Sequence, residues 1–237
     1  MGVTYIGIDD TDVIDSPGTN QLARAIVKRL GPFAERAIVC RHQLFFDPRV
    51  PYPSQNGSAS IQLPRGPEIP RAELISLVRD VMRNWYVEGS DPGLAVTDHA
   101  SADMAAFAAR AKSEVVSQTE ARDVAARSGC YLEGLGGTNQ GIIGALAAIA
   151  LVDGGEDGRV VHVHDWPWPD DFSGVQPVSA IRGRGIADIL TTSGQAFSGD
   201  VVDIGKHLRP NWRRKRMVLF VEPSVDARAV ARARKLV

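Results

Sequence analysis

A short apolar run, Val3 to Ile8, ends directly in Asp9-Asp10-Thr11-Asp12. Short, apolar and rich in β-formers, the run is expected to be a strand buried in a sheet. Three carboxylates within four positions at the end of such a strand are costly. Like charges so close repel and raise one another's pKa unless a cation lies between them. A strand end that faces a ligand satisfies this, and in α/β sheets ligands sit at the carboxyl ends of strands. A Mg2+ ion is the natural partner, since hard cations take carboxylate oxygens and keep waters for phosphates. The alternative is an Asp-rich turn in which Asp and Thr cap backbone amides.

The chain continues as alternating strands and helices. A loop with Ser16-Pro17-Gly18 precedes a helix from Thr19 or Asn20 to Leu30, carrying Leu22, Ile26 and Leu30 on one face and stopped by Gly31-Pro32. Strands are expected at 36–43 and 58–63, separated by a proline-rich loop over 47–57. An amphipathic helix runs from Arg71 to Tyr86, and a short strand over 93–96 follows the turn Asp91-Pro92-Gly93. Ser101 caps a helix to Arg110, and Ser117 with Glu120 forms a capping box for the next, closed by Gly129. Gly141 to Val152 is an apolar helix. The turn run Asp153 to Gly158 then marks the expected boundary between an α/β unit over 1–154 and a smaller α+β unit over 155–237. In the second unit, strands are expected at 159–164, 177–181, 200–204 and 216–221, with a final helix over 224–236.

Composition narrows the class. With 237 residues, 44% hydrophobic and 23% charged, the chain can bury a core without staples, and wholesale disorder is excluded. Two cysteines, Cys40 and Cys130, cannot build a disulfide framework or a four-cysteine zinc site, so a reducing cytoplasm is expected. The longest apolar run has twelve residues, against about 20 needed to span a bilayer. No secretory signal opens the chain, and no membrane partner is expected. Charge is unevenly spread: residues 205–237 carry 10 basic and 2 acidic side chains, whereas residues 1–204 are net negative. The basic end suits a polyanion such as RNA, or is a solvated face.

Two further segments favour phosphate. Ser16-Pro17-Gly18-Thr19-Asn20 delivers a hydroxyl to a helix N-terminus, where free amides and the dipole attract anions, unless Thr19 or Asn20 simply caps the helix. Gly134-Leu135-Gly136-Gly137-Thr138-Asn139-Gln140-Gly141 joins a strand to a helix and lets backbone amides approach a phosphate, although it lacks the Lys-Ser/Thr pair of a P-loop. His162 and His164 share a strand face. Arg182-Gly183-Arg184-Gly185 is a phosphate contact or simply a basic turn, and Arg213-Arg214-Lys215-Arg216 grips RNA backbone or only solubilises the approach to a strand. Trp166 and Trp168 fit an apolar lid, and Cys40 an inert strand position.

Together these residues resemble a known family. Gly7-Ile8-Asp9-Asp10-Thr11-Asp12, then Gly18-Thr19 with Leu22-Ala23, Asn56-Gly57, Asp91-Pro92-Gly93, Ser113-Glu114-Val115-Val116 and Gly141-Ile142-Ile143-Gly144 through Ile149 follow the order of the archaeal isoleucine-tRNA agmatinylcytidine synthetase family. The likeness covers about residues 4–152 and is diffuse beyond. It implies an α/β kinase-like domain followed by a ferredoxin-like α+β domain. It also implies an activity in which ATP and Mg2+ are used to phosphorylate a tRNA cytidine, agmatine then displacing the phosphate. By resemblance, Asp9, Asp10 and Asp12 hold the metal and phosphates. Thr19 falls on a threonine that is autophosphorylated, and Gly18, Asn56, Gly134, Gly136, Gly137, Gly141 and Gly144 lie in the nucleotide region.

The chain departs from the family at two cationic places. Pro53-Ser54-Gln55 stands where Lys/Arg precede the Asn-Gly, and Gly137-Thr138-Asn139-Gln140-Gly141 stands for Gly-Lys-Gly-Arg-Gly. Counterparts of the family's OB-fold and zinc ribbon are not expected, which leaves room for a separate RNA-binding subunit. The expected function is an ATP- and Mg-dependent kinase or ligase acting on an RNA cytidine or on a small molecule. The alternative is a non-catalytic protein that binds a nucleotide or a partner.

Overall fold

The computed structural model describes all residues except 1, 14, 51–55, 65–68, 168–171, 223–229 and 236–237. Its elements are β1 (Val3–Asp9), α1 (Thr19–Leu30), a 3-10 turn (Gly31–Ala34), β2 (Ile38–Gln43), β3 (Gly57–Pro64), α2 (Arg71–Asn84), β4 (Gly93–Thr97), α3 (Ala102–Ala111), α4 (Gln118–Arg127), β5 (Tyr131–Gly134) and α5 (Gly141–Gly154). They continue with β6 (Arg159–Val163), β7 (Val175–Pro177), α6 (Val178–Gly183), β8 (Asp188–Thr191), β9 (Val201–Asp203), β10 (Asn211–Arg213), β11 (Arg216–Glu222) and β12 (Ala231–Arg234). Among the described residues the strands form one sheet in the order β5-β4-β1-β3-β2-β6-β10-β11-β12-β9-β7, with β8 parallel to β11. The pairings from β5 through β6 are antiparallel. The architecture is mixed α/β.

β1 is buried on both faces because its side chains alternate between two cores. Ile6 and Ile8 join Leu22, Ile26, Leu74 and Val78 of α1 and α2, while Tyr5 joins the core under α3, α4 and α5. α5 is apolar all round and almost wholly buried, as its composition requires. It lies directly on β1: a Cβ on Gly7 would overlap the Ala145 carbonyl, and a Cβ on Gly93 would overlap the Gly141 backbone. Glycine lets helix and strand backbones meet here, so the start of α5 hangs over the acidic end of β1. At the other end of α5, Trp212 Nε1 donates to the Val152 carbonyl at 3.0 Å and ties β10 to the helix.

The caps read from the sequence are present. Ser101 Oγ accepts from the Met104 amide and Ser117 Oγ from the Glu120 amide, both at 3.2 Å. The Glu120 carboxylate bonds to Arg110 instead of turning back to Ser117, so only half of the capping box forms. Gly129 closes α4 with a φ of 62°.

Local pattern misled in the second half of the chain. The strand expected over 177–181 is present only at Pro177, the end of β7; 178–183 is the short helix α6, in which Pro177 sets the N-cap, Ile181 is buried and Val178 packs beside it. The helix expected over 224–236 falls largely outside the described residues, but Ala231–Arg234 is strand β12, paired with β11 and β9. The short strands β8 and β10 carry too few residues to show a period. No helix among the described residues is long and apolar enough to cross a membrane.

Candidate functional site

A cavity of about 680 Å³ opens where the end of β1, the starts of α1 and α5, the second half of β2 and the start of β6 converge. Asp9, Asp10, Asp12, Gly18, Thr19, Asn56 and Gly144 line it, so most of the residues singled out in the sequence share one space. Gly134, Gly136, Gly137 and Gly141 do not line it.

Asp9 is buried, with its carboxylate set against α5. Burial, then the charge of Asp10, push its carboxyl up to about 8, and Arg41 pulls the other way. Asp10 takes a left-handed backbone conformation, φ 51°, and its carbonyl accepts the Asp91 amide. Its carboxyl rises to about 6 through burial and the charges of Asp91 and Asp12. These are carboxylates held short of a counter-charge. Asp12 has a different role. Its Oδ1 accepts the Thr19 hydroxyl at 2.8 Å and the Thr19 amide at 3.3 Å, so it serves the first turn of α1. Thr11 Oγ1 donates to the same Thr19 hydroxyl oxygen at 3.1 Å. Thr19 is buried, its hydroxyl aligned by two partners.

The acids do not form a ready metal cage. No three His, Cys, Asp or Glu side chains among the described residues converge to hold an ion. The donor set suits Mg2+ bound through one or two carboxylates with most ligands supplied by water and phosphate. Asp9 and Asp10, whose carboxyls burial and neighbouring acids hold above the usual range, fit that part; Asp12 is engaged with Thr19.

The glycine loop is built for close packing. Asp91 accepts from the Thr138 amide and, at 2.6 Å, from the Thr138 hydroxyl. A Cβ on Gly137 would overlap Asp91, one on Gly136 would press on Tyr86, and one on Gly141 would meet the Asp91 carbonyl. The loop thereby locks α5 to the 90–93 turn, and Gln140 and Gly144 carry its end into the cavity. Asn56 lines the cavity while its Nδ2 donates to the Phe45 carbonyl at 2.7 Å, bracing the loop after β2.

Two arginines that no sequence motif marks also reach the cavity. Arg41 of β2 and Arg159 of β6 both line the cavity, and they are directly paired across the strands. Arg41 follows the apolar half of β2 and Arg159 opens β6, so neither stands out by local pattern, and the pairing of the two strands is not readable from sequence.

The other flagged residues lie elsewhere. His162 is buried beside β2, its imidazole pushed down to about 4 by burial and by the nearby charges of Arg24, His164 and Arg209. His164 pairs with Asp165 at 2.9 Å. Arg213 to Arg216 is the β10–β11 hairpin turn, with Arg214 and Lys215 at positive φ. Lys215 pairs with Asp153 and Arg216 with Asp188. Arg182 donates to the Ala187 carbonyl at 3.1 Å, and Arg184 lies 4.5 Å from the Phe172 ring centroid. Trp166 is buried in the core, and Trp168 lies outside the described residues. Cys40 is buried, and burial raises its thiol pKa, which leaves it inert.

No family model matches the chain, and no curated protein does. Solved structures do. The chain is similar to TiaS in its complex with an isoleucine tRNA and ATP, with 24% identity over 63% of this chain and 36% of that one, at a TM-score of 0.55. It is similar to a tRNA fluorescent labeling enzyme, with 26% identity over 62% and 36% of the two chains, at 0.54. It is also similar to apo TiaS, an agmatidine synthetase of isoleucine tRNA, with 25% identity over 62% and 35%, at 0.53. The chain thus spans little more than a third of the length of these proteins. The resemblance read from the sequence is therefore one of structure too: over 63% of its length this chain shares the fold of the isoleucine-tRNA agmatidine synthetase.

Proposed function

We propose that this chain is an ATP- and Mg2+-dependent phosphoryl-transfer or ligase enzyme whose acceptor is RNA. The observation that carries this reading is the gathering of Asp9, Asp10, Thr19 and the start of α1 into one cavity. Phosphoryl transfer asks mainly for positioning and charge neutralisation, and these residues supply both. Mg2+ bound there would neutralise phosphate charge. The carboxylates of Asp9 and Asp10 would hold it. Asp12 accepts a hydrogen bond from the Thr19 hydroxyl, so it would orient that hydroxyl and take its proton as the bond from Oγ1 to the γ-phosphorus forms and the bond from that phosphorus to the bridging oxygen breaks, releasing ADP.

The similar structures include TiaS in complex with tRNA and ATP, which supports a nucleotide and tRNA as partners here. Charge supports RNA over a small acceptor: Lys235 feels both Arg159, in the cavity wall, and Arg209, so positive charge continues from the cavity into the basic end. A kinase-like unit followed by a ferredoxin-like unit remains part of this proposal, as does a separate subunit that completes RNA binding.

The test is thermal shift of the full chain with ATP, with and without Mg2+. ATP with Mg2+ is expected to raise Tm by mass action on the folded state, and Asp9→Asn/Asp10→Asn to abolish the gain. A wild type indifferent to every nucleotide overturns the reading. Nucleotide binding unchanged by those substitutions, with no transfer to tRNA, favours a non-catalytic binder.

A further inference from the structure

Arg41 and Arg159 occupy facing register positions on β2 and β6. Facing residues of an antiparallel pair point to the same side of the sheet, and like charges placed so are destabilising. Both guanidinium groups are only partly exposed, and both lie in the wall of the cavity that holds the acidic strand end. Arg159 Nε is buried and has no hydrogen-bond partner. Asn20 Oδ1, from the cavity side of α1, is likewise buried without one. Burial lowers the pKa of both arginines, and the charge of Arg159 adds to the effect on Arg41. A fold that needed only solvated cations would place them apart and outward. This one holds two half-buried guanidinium groups side by side in the cavity wall, Arg41 donating to Gln43 Oε1 at 3.1 Å.

We infer that Arg41 and Arg159 form a seat for phosphate oxyanions in the cavity wall, occupied by the polyphosphate of the nucleotide. An oxyanion between two guanidinium groups removes their repulsion and takes the forked donors that planar recognition of phosphate uses. The unpaired Arg159 Nε supplies one such donor. In the same cavity Asp9, whose charge also acts on Arg41, and Asp10 repel a bare polyphosphate. Binding therefore depends both on the arginines and on a cation that neutralises the acids. The inference rests on the nucleotide reading above.

The experiment is isothermal titration of ATP, adenosine and inorganic tripolyphosphate, each in the presence of Mg2+, into the full chain and into Arg41→Gln and Arg159→Gln, with Tm of each ligand-free protein. The wild type is expected to bind tripolyphosphate. Each variant should weaken tripolyphosphate and ATP about tenfold to a hundredfold. Adenosine, which has no phosphate, should bind all three alike. Ligand-free Tm should hold or rise, because a like-charge pair is removed. A merely structural arginine would instead lower Tm and leave tripolyphosphate affinity unmoved, and that result overturns the seat. Arg159→Lys keeps the charge but loses the fork, and carries the test if Arg159→Gln does not fold; wild-type tripolyphosphate affinity in it and in Arg41→Gln overturns the seat. ATP bound equally by wild type and variants overturns the seat and leaves the nucleotide reading standing. Tripolyphosphate bound through the arginines, with no preference for ATP over it, supports the seat while the nucleotide reading falls.

Discussion

The Asp9 carboxylate occupies the space that a side chain on Gly144 would need: a Cβ there would lie closer to Asp9 Oδ2 than non-bonded atoms approach. Helix α5 and the acidic end of β1 are fitted to each other at this point. Gly144→Ala is therefore expected to displace the carboxylate or the helix, costing about 1–3 kcal/mol as an overfilled core site. It should also remove the Tm gain from ATP with Mg2+. Urea unfolding and thermal shift on the same samples check both effects.

Stability without divalent ions should depend on pH through Asp9. Its folded carboxyl sits at about 8, against an unfolded value of about 4. The folded state thus holds the extra proton, and this contribution, full below the unfolded value, is lost as pH rises through about 8. The urea midpoint of the wild type should fall between pH 5 and 8 relative to Asp9→Asn. Mg2+ affinity should rise over the same range, because binding requires the carboxylates of Asp9 and Asp10 to ionise. Equal pH slopes in the two proteins would refute this.

Thr19→Val keeps the shape of the side chain and removes the hydroxyl shared by Asp12 and Thr11. The expected stability loss is about 1 kcal/mol. ATP binding should stay within about threefold of wild type, while transfer of labelled γ-phosphate should be lost. Retained transfer would show that Thr19 only positions the loop.

His42 is fully buried and joins Ser60 and Asp157, each at 2.8 Å, and Asp157 in turn contacts Lys112. The order Ser-His-Asp suggests a nucleophile, but Ser60 is fully buried and does not line the cavity, so the network is structural. His42→Ala should cost about 2–4 kcal/mol by leaving buried partners unsatisfied. Affinity for ATP with Mg2+ should be preserved at temperatures where the variant stays folded.

RNA binding should weaken steeply with salt if the basic end contacts phosphates. Replacing Arg209 and Lys235 with Gln should make the slope of log affinity against log salt shallower by about 2. Filter binding with tRNA from low to high salt reads it directly. An unchanged slope would place the RNA contacts elsewhere.

Several features of this protein were determined by short-range sequence. The apolar run into Asp9 and Asp10, the caps Ser101 and Ser117, the apolar α5 and the stop at Gly31 follow from local propensity and periodicity, and the structure contains them. Tertiary structure alone decided what those elements face. The glycines of 134–141 looked like a phosphate cradle, because glycine spacing is the same whether a backbone approaches a ligand or Asp91 and Gly93. Residues 178–183 became a helix, since one buried side chain, Ile181, carries too little pattern to specify a strand. Arg41 and Arg159 lie 118 positions apart in the chain and side by side in the sheet. Their meeting depends on β6 pairing with β2, a long-range register that no local pattern encodes.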